Sequence, residues 1–482
     1  MKRYILAALA LTSILSVSAQ NDADALRFSQ YIYGGTARSM AMGGAFGALG
    51  GDFGSLSINP AGIGVYRTGE FTITPNMNYY NSASNYLDYK HTEYSEKFLL
   101  GNLGYVTTFN TKKTDGWIST SLGLGYNRLN DFNNFTNISA INKSSSLLDN
   151  FVQNANGNIA SNLDPFYEKL AYDSKLIYNP NSSNLTYYAN DLNVGGYHEL
   201  QEQKITTTGG IGEYVISFGA NYNHKLYIGA SLGIQQASYN IVKSLTETDV
   251  NGNIPYLNSF TFDENYNVHG TGYAFKVGAI YKPIEMLRLG LAVHFPTYYN
   301  LHSEFYTNIS AKYDSMVTDN SQTSATGVND YSMTTPWRMI GSVGLQFGNI
   351  GLLSMDVERV DYSTMHFSSA SESDLNDSIQ KYYKPTLNIR LGGEIKISSF
   401  ALRAGYALYG SPYVKGYGND NVNTSIISAG IGFRHAKFFC DLGYTMSTQK
   451  MNYVLYEAGA FANQAALTNK TSQIMATIGF RF

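Results

Sequence analysis

The chain has 482 residues and a formal net charge of −3, with no basic run longer than Lys112-Lys113, which excludes a nucleic-acid partner. The single Cys440 excludes disulfides within the chain and zinc sites built from several cysteines. Only 14% of the residues are charged, against about 25% in ordinary soluble domains, while 40 Tyr and 25 Phe would suit the aromatic girdles of a membrane barrel.

Residues 1–19 have the pattern of a secretory signal peptide. Lys2 and Arg3 precede a short apolar stretch, and Val17-Ser18-Ala19 supplies small residues for cleavage. No later stretch approaches the ~20 apolar residues of a membrane helix. An exported chain of this kind can span a membrane only as a closed barrel, since open sheet edges stay unsatisfied in lipid.

The segment that follows, residues 20–66, differs from the rest of the chain. Ten glycines fall between Gly34 and Gly64, charges are few, and there is no clean period of two. Glycine permits tight turns and close backbone packing. The composition therefore predicts a compact, irregular segment in a confined space.

From Gly69 onward the sequence alternates apolar and polar residues with a period of two, which predicts β-strands. The last strand shows it well: Ile474, Ile478 and Phe480 share one face, and Gln473 and Thr477 lie on the other. The fold class is therefore all-β, a transmembrane antiparallel β-barrel of about 14 strands. The predicted spans are 69–80, 97–109, 116–129, 212–223, 225–242, 258–281, 287–307, 331–347, 351–368, 382–397, 399–410, 423–435, 437–448 and 472–482.

The connections between these strands alternate between short and long, as in outer-membrane barrels with short periplasmic turns and long outer loops. Long links are predicted near 81–96 and 449–471, and the longest at about 130–211. The barrel domain is expected over residues 67–482, in a Gram-negative-type outer membrane and as a monomer. Lipid and lipopolysaccharide would surround it, and the barrel-assembly machinery would recognise the strand that ends at Phe482.

Charged residues recur on the face opposite the apolar one, since a charge facing lipid near the midplane costs ~2–4 kcal/mol. Two interpretations stay open for each of them: bracing of the lumen, or direct contact with a ligand. The lumen charges singled out here are Arg390, Glu394, Arg403 and Arg434.

Two motifs in the glycine-rich segment carry a resemblance. Met42-Gly43-Gly44 precedes Phe46, and Asn59-Pro60-Ala61 follows shortly before the first strand. Together they resemble the FadL/TodX family of outer-membrane transporters for hydrophobic compounds. The resemblance implies that residues 20–66 form a hatch that plugs the barrel lumen, with Met42, Gly43, Gly44 and Phe46 in hatch packing. The alternative for the tripeptide is a simple Asn-Pro turn leading into strand one.

The same resemblance implies a function. Small hydrophobic compounds, either fatty-acid-like or aromatic, would cross passively, with the hatch as gate and a lateral exit through the wall. The family's kinked third strand would be Gly116–Leu129 here, with Gly123 and Gly125 weakening its ladder. A haem receptor and a general diffusion porin on the same barrel remain alternatives, as does an adhesive or structural barrel.

Catalysis is not predicted. The eight His residues are scattered, and no Gly-x-Ser-x-Gly segment is present. No cofactor or metal is expected. One departure from the family also matters: the longest loop follows the third strand, whereas the major binding loops of relatives come later. Ligand contacts are therefore not carried over, although Phe132, Phe135, Leu147, Leu148, Phe151 and Val152 are suited to a helical apolar lid.

Overall fold

The computed structural model describes residues 22–181, 183–192, 196–252, 254–314, 320–369, 373–458 and 461–482. The predicted signal peptide, residues 1–19, lies outside the described residues. Nineteen β segments form one antiparallel sheet that closes on itself, and they make up fourteen barrel strands because four strands are interrupted along their length. This confirms the predicted barrel and its strand number.

The strands follow chain order around the barrel, each pairing with its sequence neighbours. They are β1 (Glu70–Tyr86), β2 (Tyr89–Asn110), β3 (Trp117–Asp131 and Asn134–Asn142), β4 (Glu199–Tyr222), β5 (Leu226–Asp249), β6 (Leu257–Ile284), β7 (Leu287–His294 and Tyr298–Tyr313), β8 (Asn320–Thr323, Gly327–Thr334 and Arg338–Phe347), β9 (Gly351–Asp361 and His366–Phe367), β10 (Pro385–Ile397), β11 (Phe400–Tyr409), β12 (Thr424–His435), β13 (Phe438–Ala458) and β14 (Phe461–Arg481).

The barrel closes between its first and last strands. The β1–β14 ladder runs from Glu70 opposite Arg481 to Asn85 opposite Ala466. Just below it, Gly69 and Phe482 exchange two backbone hydrogen bonds of 3.1 Å. Closure leaves no free edge between the ends of the sheet, as a wall in lipid requires.

The two faces of the wall differ as the alternation predicts. On β10, Leu391 and Ile395 are exposed on the outside, whereas Asn388, Arg390 and Glu394 are buried inside. Outward apolar and inward polar residues are the pattern of a membrane barrel. Among the described residues, none of the helices is long and apolar enough to cross a membrane.

Several strands are longer than the sequence predicted. Residues 81–96, expected as a long loop, form the end of a β1–β2 hairpin that turns at Leu87 and Asp88, both with positive φ. Most of 449–471 likewise continues the β13–β14 ladder. Residues 81–96 are largely polar, whereas 449–471 carry apolar side chains on both faces: Leu455 packs inside and Val454 is exposed. In both segments the alternation of hydropathy therefore disappears while backbone pairing continues. The two-residue turn with positive φ at both positions suits a tight hairpin.

The longest described connection joins Asn142 to Glu199, and is therefore shorter than the predicted 130–211. It contains α3 (Leu147–Ala155), which begins with a capping box formed by Ser146 and Asp149, and α4 (Glu168–Asp173). Its apolar residues share one buried cluster with side chains of β5, β6, β7 and β13. This connection therefore caps one end of the barrel.

The segment before β1 is not part of the wall. It contains α1 (Asp22–Ser29), α2 (Ala37–Ala41) and two 3₁₀ turns, Phe53–Ser57 and Pro60–Val65. Its apolar side chains are buried against inward-facing residues of the strands. We call residues 22–66 the hatch segment. A last helix, α5 (Ser373–Tyr382), lies between β9 and β10.

Candidate functional site: the hatch segment and the barrel wall

The Asn59-Pro60-Ala61 motif begins the second 3₁₀ turn of the hatch segment. Asn59 is extended, with φ −138°, and its side-chain oxygen accepts a hydrogen bond from the Ala61 amide at 3.0 Å. Pro60 takes the first position of the turn, where its missing N–H is not needed. The motif is thus a capped Asn-Pro turn close to the start of β1.

The same Asn59 also ties the hatch segment to the wall. Its side-chain nitrogen donates to the carbonyls of Gly47 at 2.7 Å and of Ala279, on β6, at 3.2 Å. The Asn59 side chain is 1% exposed. A Cβ on Gly278 would come within 1.9 Å of the Asn59 oxygen, so the wall has a glycine where this side chain approaches. The Asn59 side-chain nitrogen also donates to the Leu291 carbonyl of β7 at 3.4 Å, so Asn59 joins two turns of the hatch segment to two neighbouring strands.

The Met42–Phe46 stretch lies against a different part of the wall, on strands β9 to β12. Gly43 has φ +64°, which favours glycine, and its amide donates to the Ser428 hydroxyl of β12 at 3.0 Å. A Cβ on Gly43 would be 2.9 Å from backbone atoms of Leu391 and Tyr406. Gly43 therefore packs directly on the backbone of β10 and β11.

The next residues bind a buried carboxylate. The amides of Phe46 and Gly47 donate to Asp356 of β9 at 3.1 and 3.0 Å. Asp356 is fully buried, and the Arg390 guanidinium lies 3.7 Å from it. A buried charge needs such partners, because it is costly without them. Gly44, with φ +73°, allows the chain to turn here. Asp356 then holds the two amides that follow the turn against the wall.

Ten inward-facing glycines of the wall, which we call the glycine belt, leave room for the hatch segment. A Cβ on any of them would come within 2.6 Å of a hatch atom. At Gly229, Gly290, Gly392 and Gly405 that atom belongs to the hatch backbone, which cannot turn aside as a side chain can. The belt consists of Gly104, Gly123, Gly125, Gly219, Gly229, Gly278, Gly290, Gly392, Gly405 and Gly430.

Gly123 and Gly125 belong to this belt rather than to a break in the wall. They face Ile63 and Phe53 of the hatch segment. Both lie within a part of β3 that is paired on each side, with β2 and with β4. Their place in the structure is explained by the space that the hatch needs.

Two buried charge clusters line the lumen beside the hatch segment. In the first, Glu394 accepts from Arg38 of α2 at 2.9 Å and from Arg403 at 2.7 Å, and Arg403 also donates to Asp441 at 2.6 Å. Removing one partner from such a cluster leaves a buried unpaired charge. Two of the predicted lumen charges, Glu394 and Arg403, thus have partners in this cluster. A third, Arg390, belongs to the second cluster.

In that second cluster, Glu358 accepts from Arg338 at 2.8 Å and from Arg390 at 2.9 Å. Arg338 also donates to the Ser29 carbonyl of α1. Arg434 belongs to neither cluster: it is half-buried and lies 5.4 Å from the ring centre of Phe439. Both clusters therefore contact the hatch segment, the first through Arg38 and the second through the Ser29 carbonyl.

Arg38 is a partner that sequence reasoning missed. It is the one charged residue between Arg27 and Asp52, and this isolation in an apolar, glycine-rich segment is the sequence feature that indicates a buried partner. Near it, the Thr36 hydroxyl donates to Asp52 at 2.7 Å. Burial raises the pKa of Asp52 above its ordinary value, and Arg38 opposes that shift.

The wall has a seam, by which we mean the line along which β2 and β3 are unpaired. Their ladder ends where Asn102 faces Asn127. Beyond it, Tyr89–Gly101 pairs with β1 alone, while β3 remains paired with β4. At the start of the seam, the Arg128 guanidinium donates to the Leu100 carbonyl at 3.4 Å.

A cavity of about 110 Å³ adjoins this point inside the lumen, lined among others by Gly34, Asn76, Gly101 and Arg128. The hatch backbone lies on the strand beside it: the Ile32 and Gly34 amides donate to the carbonyls of Leu129 and Arg128 at 3.0 and 2.9 Å. The hatch segment thus occupies backbone positions of β3 that β2 leaves free.

A second cleft, of about 170 Å³, lies beneath the cap. Phe151 of α3 and Phe262 of β6 line it, together with the ion pair of Lys243 and Glu264 at 3.0 Å. Of the predicted lid, Leu147, Leu148 and Phe151 are buried in α3. Phe132 instead lies at the interruption of β3 and packs on Phe28 of α1, and Phe135 is part of β3. No three His, Cys, Asp or Glu side chains in the described ranges are grouped so as to hold a metal.

Comparison with known proteins reveals the fold. No protein-family model and no curated protein matches the sequence. Among solved structures, the chain is similar to a Pseudomonas aeruginosa FadL homologue, with 14% identity and a TM-score of 0.56 over 94% of this chain and 99% of that one. The P. putida toluene transporter TodX follows, with 14% identity and a TM-score of 0.52 over 93% and 99%.

The Ralstonia pickettii toluene transporter TbuX is similar to the same extent, with 14% identity and a TM-score of 0.51 over 93% of this chain and 98% of that one. The chain therefore has the fold of the outer-membrane FadL-type channels. This confirms the resemblance that the hatch motifs indicated.

Proposed function

We propose that this protein mediates passive uptake of small hydrophobic compounds across an outer membrane, with the hatch segment as gate and the seam as lateral exit. The observation that carries the proposal is the cavity between the hatch backbone at Gly34 and the end of the β2–β3 ladder at Asn102. The neighbours of similar fold support the choice of substrate, since two of the three are described as toluene transporters.

The route begins beneath the cap. The cleft there is lined by apolar side chains such as Phe151 and Phe262 and, to a similar extent, by polar ones, including the Lys243–Glu264 pair. An apolar molecule that enters gains ~25 cal/mol for each Å² of apolar surface removed from water. The cleft thus offers a place where a greasy compound leaves water before it meets the hatch segment.

The gate is the part of the hatch segment that lies on β3. Ile32 and Gly34 hold that position through two backbone hydrogen bonds. Such bonds contribute about 0.5–1.5 kcal/mol each, so thermal motion can break them. Displacement of residues 32–34 joins the lumen to the cavity and the seam. The compound then leaves sideways into lipid, and no energy source is required.

The test is uptake by cells with or without the protein. We expect faster uptake of a labelled aromatic hydrocarbon or long-chain fatty acid with the protein, and a loss in an Asn59→Ala, Pro60→Ala variant at equal barrel abundance. Labelled haem serves as the contrasting ligand. Uptake that is equal with and without the protein for all three compounds would overturn the proposal. If only haem uptake depended on the protein, haem would replace small hydrophobic compounds as the substrate.

A further inference from the structure

The inner face of β1 presents a polar stripe to the second half of β3. We call Asn78, Tyr80, Ser82, Ser84 and Tyr86 the β1 stripe. Alternate residues of a strand share one face, so these five form a line along the lumen. Each is at most 4% exposed. Buried polar groups are costly when unpaired, so each of these side chains needs a hydrogen-bond partner inside the barrel.

All five bond to β3 or to its interruption. Asn78 and Tyr80 donate to the Asp131 carboxylate, at 2.8 and 2.5 Å. The other three continue the line: the Ser82 hydroxyl lies 2.8 Å from that of Thr136, Ser84 donates to the Asn137 carbonyl at 2.6 Å, and the Asn142 side chain donates to Tyr86 at 3.3 Å.

Asp131 lies where β3 changes direction. The β3–β4 register shifts between Arg128 and Asn130, and the strand is interrupted after Asp131. Besides the two donors from β1, the Asp131 carboxylate accepts from the backbone amide of Asn133 at 3.3 Å and from its side chain. Hydrogen bonds to a charged acceptor are among the stronger ones. Asp131 is therefore the firmest point of attachment between β1 and β3.

The register shows what this attachment prevents. In the paired part, Asn102 faces Asn127, so an unbroken ladder would place Ser95 opposite Asn134, seven residues further along each strand. Instead Ser95 faces Tyr80 of β1 alone. The Asn134 side chain reaches Asn469 of β14, at 3.4 Å. The second half of β3 thus lies over the inside of β1 and β14. In the described part of the chain, only side chains connect it to β2: Lys97 donates to the Asn133 side chain at 2.8 Å, and the Asn137 side chain donates to Glu93 at 3.3 Å.

We infer that the β1 stripe, with Asp131 as its main partner, positions β3 away from β2 and so keeps the seam open. The stripe is a positioning element: it need not touch the transported compound. That the seam serves as the exit rests on the proposed function, whereas the displacement of β3 by β1 can be measured without transport.

The experiment uses the full-length protein in cells, in a Cys440→Ser background carrying Ser95→Cys and Asn134→Cys. Directly opposed strand residues have Cα atoms about 4.5–5.5 Å apart, within the range for a disulfide. With the β1 stripe intact, oxidation should give no cross-link. Adding Asp131→Leu should shift the equilibrium of β3 toward pairing with β2 at least about tenfold, the effect expected for lost bonds to a charged acceptor. The disulfide should then form and hydrocarbon uptake should fall.

Two variants complete the design. Asp131→Asn keeps one acceptor oxygen and should give less cross-link than Asp131→Leu, so it also tests the inference if the leucine variant does not assemble. Thr445→Val removes a 3.2 Å bond to Gln473 in a fully paired part of the wall and should give none.

The inference is overturned if Asp131→Leu and Asp131→Asn cross-link no more than the parent, or if the parent cross-links as readily as they do. If uptake never depends on the protein while cross-linking changes as expected, the transport proposal fails and the role of the β1 stripe stands.

Discussion

Arg38 of the hatch segment binds Glu394 of β10 through two hydrogen bonds, at 2.9 and 3.1 Å. A fork of this kind fixes orientation as well as distance. Glu394 also accepts from Arg403, so the wall holds its carboxylate in place before the hatch meets it.

We expect Arg38→Ala to loosen the hatch segment. Breaking a buried pair by removing one partner costs about 3–5 kcal/mol, because the remaining charge stays buried. Single-channel recording in planar bilayers should therefore show more frequent or larger openings. Arg434→Ala is the control, since Arg434 belongs to neither charge cluster. Identical traces for the two variants would contradict this prediction.

A methyl group on the glycine belt should displace the hatch segment from the wall. In Gly405→Ala the new Cβ would lie 2.2 Å from the Gly43 nitrogen, so the backbone must shift. Overpacking of this kind costs about 1–3 kcal/mol. Protease cleavage within residues 34–64 should rise. Gly341→Ala on β8 provides the comparison, because a Cβ there meets no atom within 4 Å and should change nothing.

Deleting residues 34–64 should produce an open channel. Hatch atoms are the near neighbours of all ten belt glycines, and barrel diameter grows with strand number, so removing this segment should leave a wide lumen. The expected result is a folded barrel that still migrates anomalously when unboiled and has a higher conductance. A variant that conducts no better than the full-length protein would show that the hatch segment does not block the lumen.

The cap should depend on Phe151. This side chain is 1% exposed, and its ring centre lies 5.3 Å from that of Phe262. Phe→Ala in a packed core costs about 3–5 kcal/mol. Phe151→Ala should make the cap on intact cells more sensitive to added protease, whereas Ile159→Ala, at a site 45% exposed, should not. Equal cleavage of both would argue against a packed cap.

The parts of the fold that the sequence predicts are those where lipid imposes a pattern. Leu387, Leu391 and Ile395 mark β10 because each must face outward, and the count of fourteen strands follows from such runs. Outside the lipid this constraint disappears. The extended β1–β2 hairpin at 81–96 was therefore predicted as a loop, although its ladder runs to Tyr86 and Tyr89.

The contacts of the hatch segment could not be predicted from the sequence because they join residues that are far apart along the chain. The Asn59-Pro60-Ala61 turn can be read locally, but its bond to Ala279 joins residues 220 positions apart. The sequence predicts Gly123 and Gly125 as weak points of a ladder, whereas their neighbours in space are Ile63 and Phe53, respectively. The seam was not predictable because the β1 stripe has the same alternation of polar residues as every other strand that faces the lumen.

The glycine belt has a consequence for engineering the substrate range. Since hatch backbone and wall backbone touch at Gly229, Gly290, Gly392 and Gly405, neither surface can be redesigned alone. A chimera that takes its plug from one relative and its cylinder from another would clash wherever one of these glycines is replaced. Exchanges confined to the cap, which touches none of the four, avoid that conflict and leave the interlocked body of the protein intact.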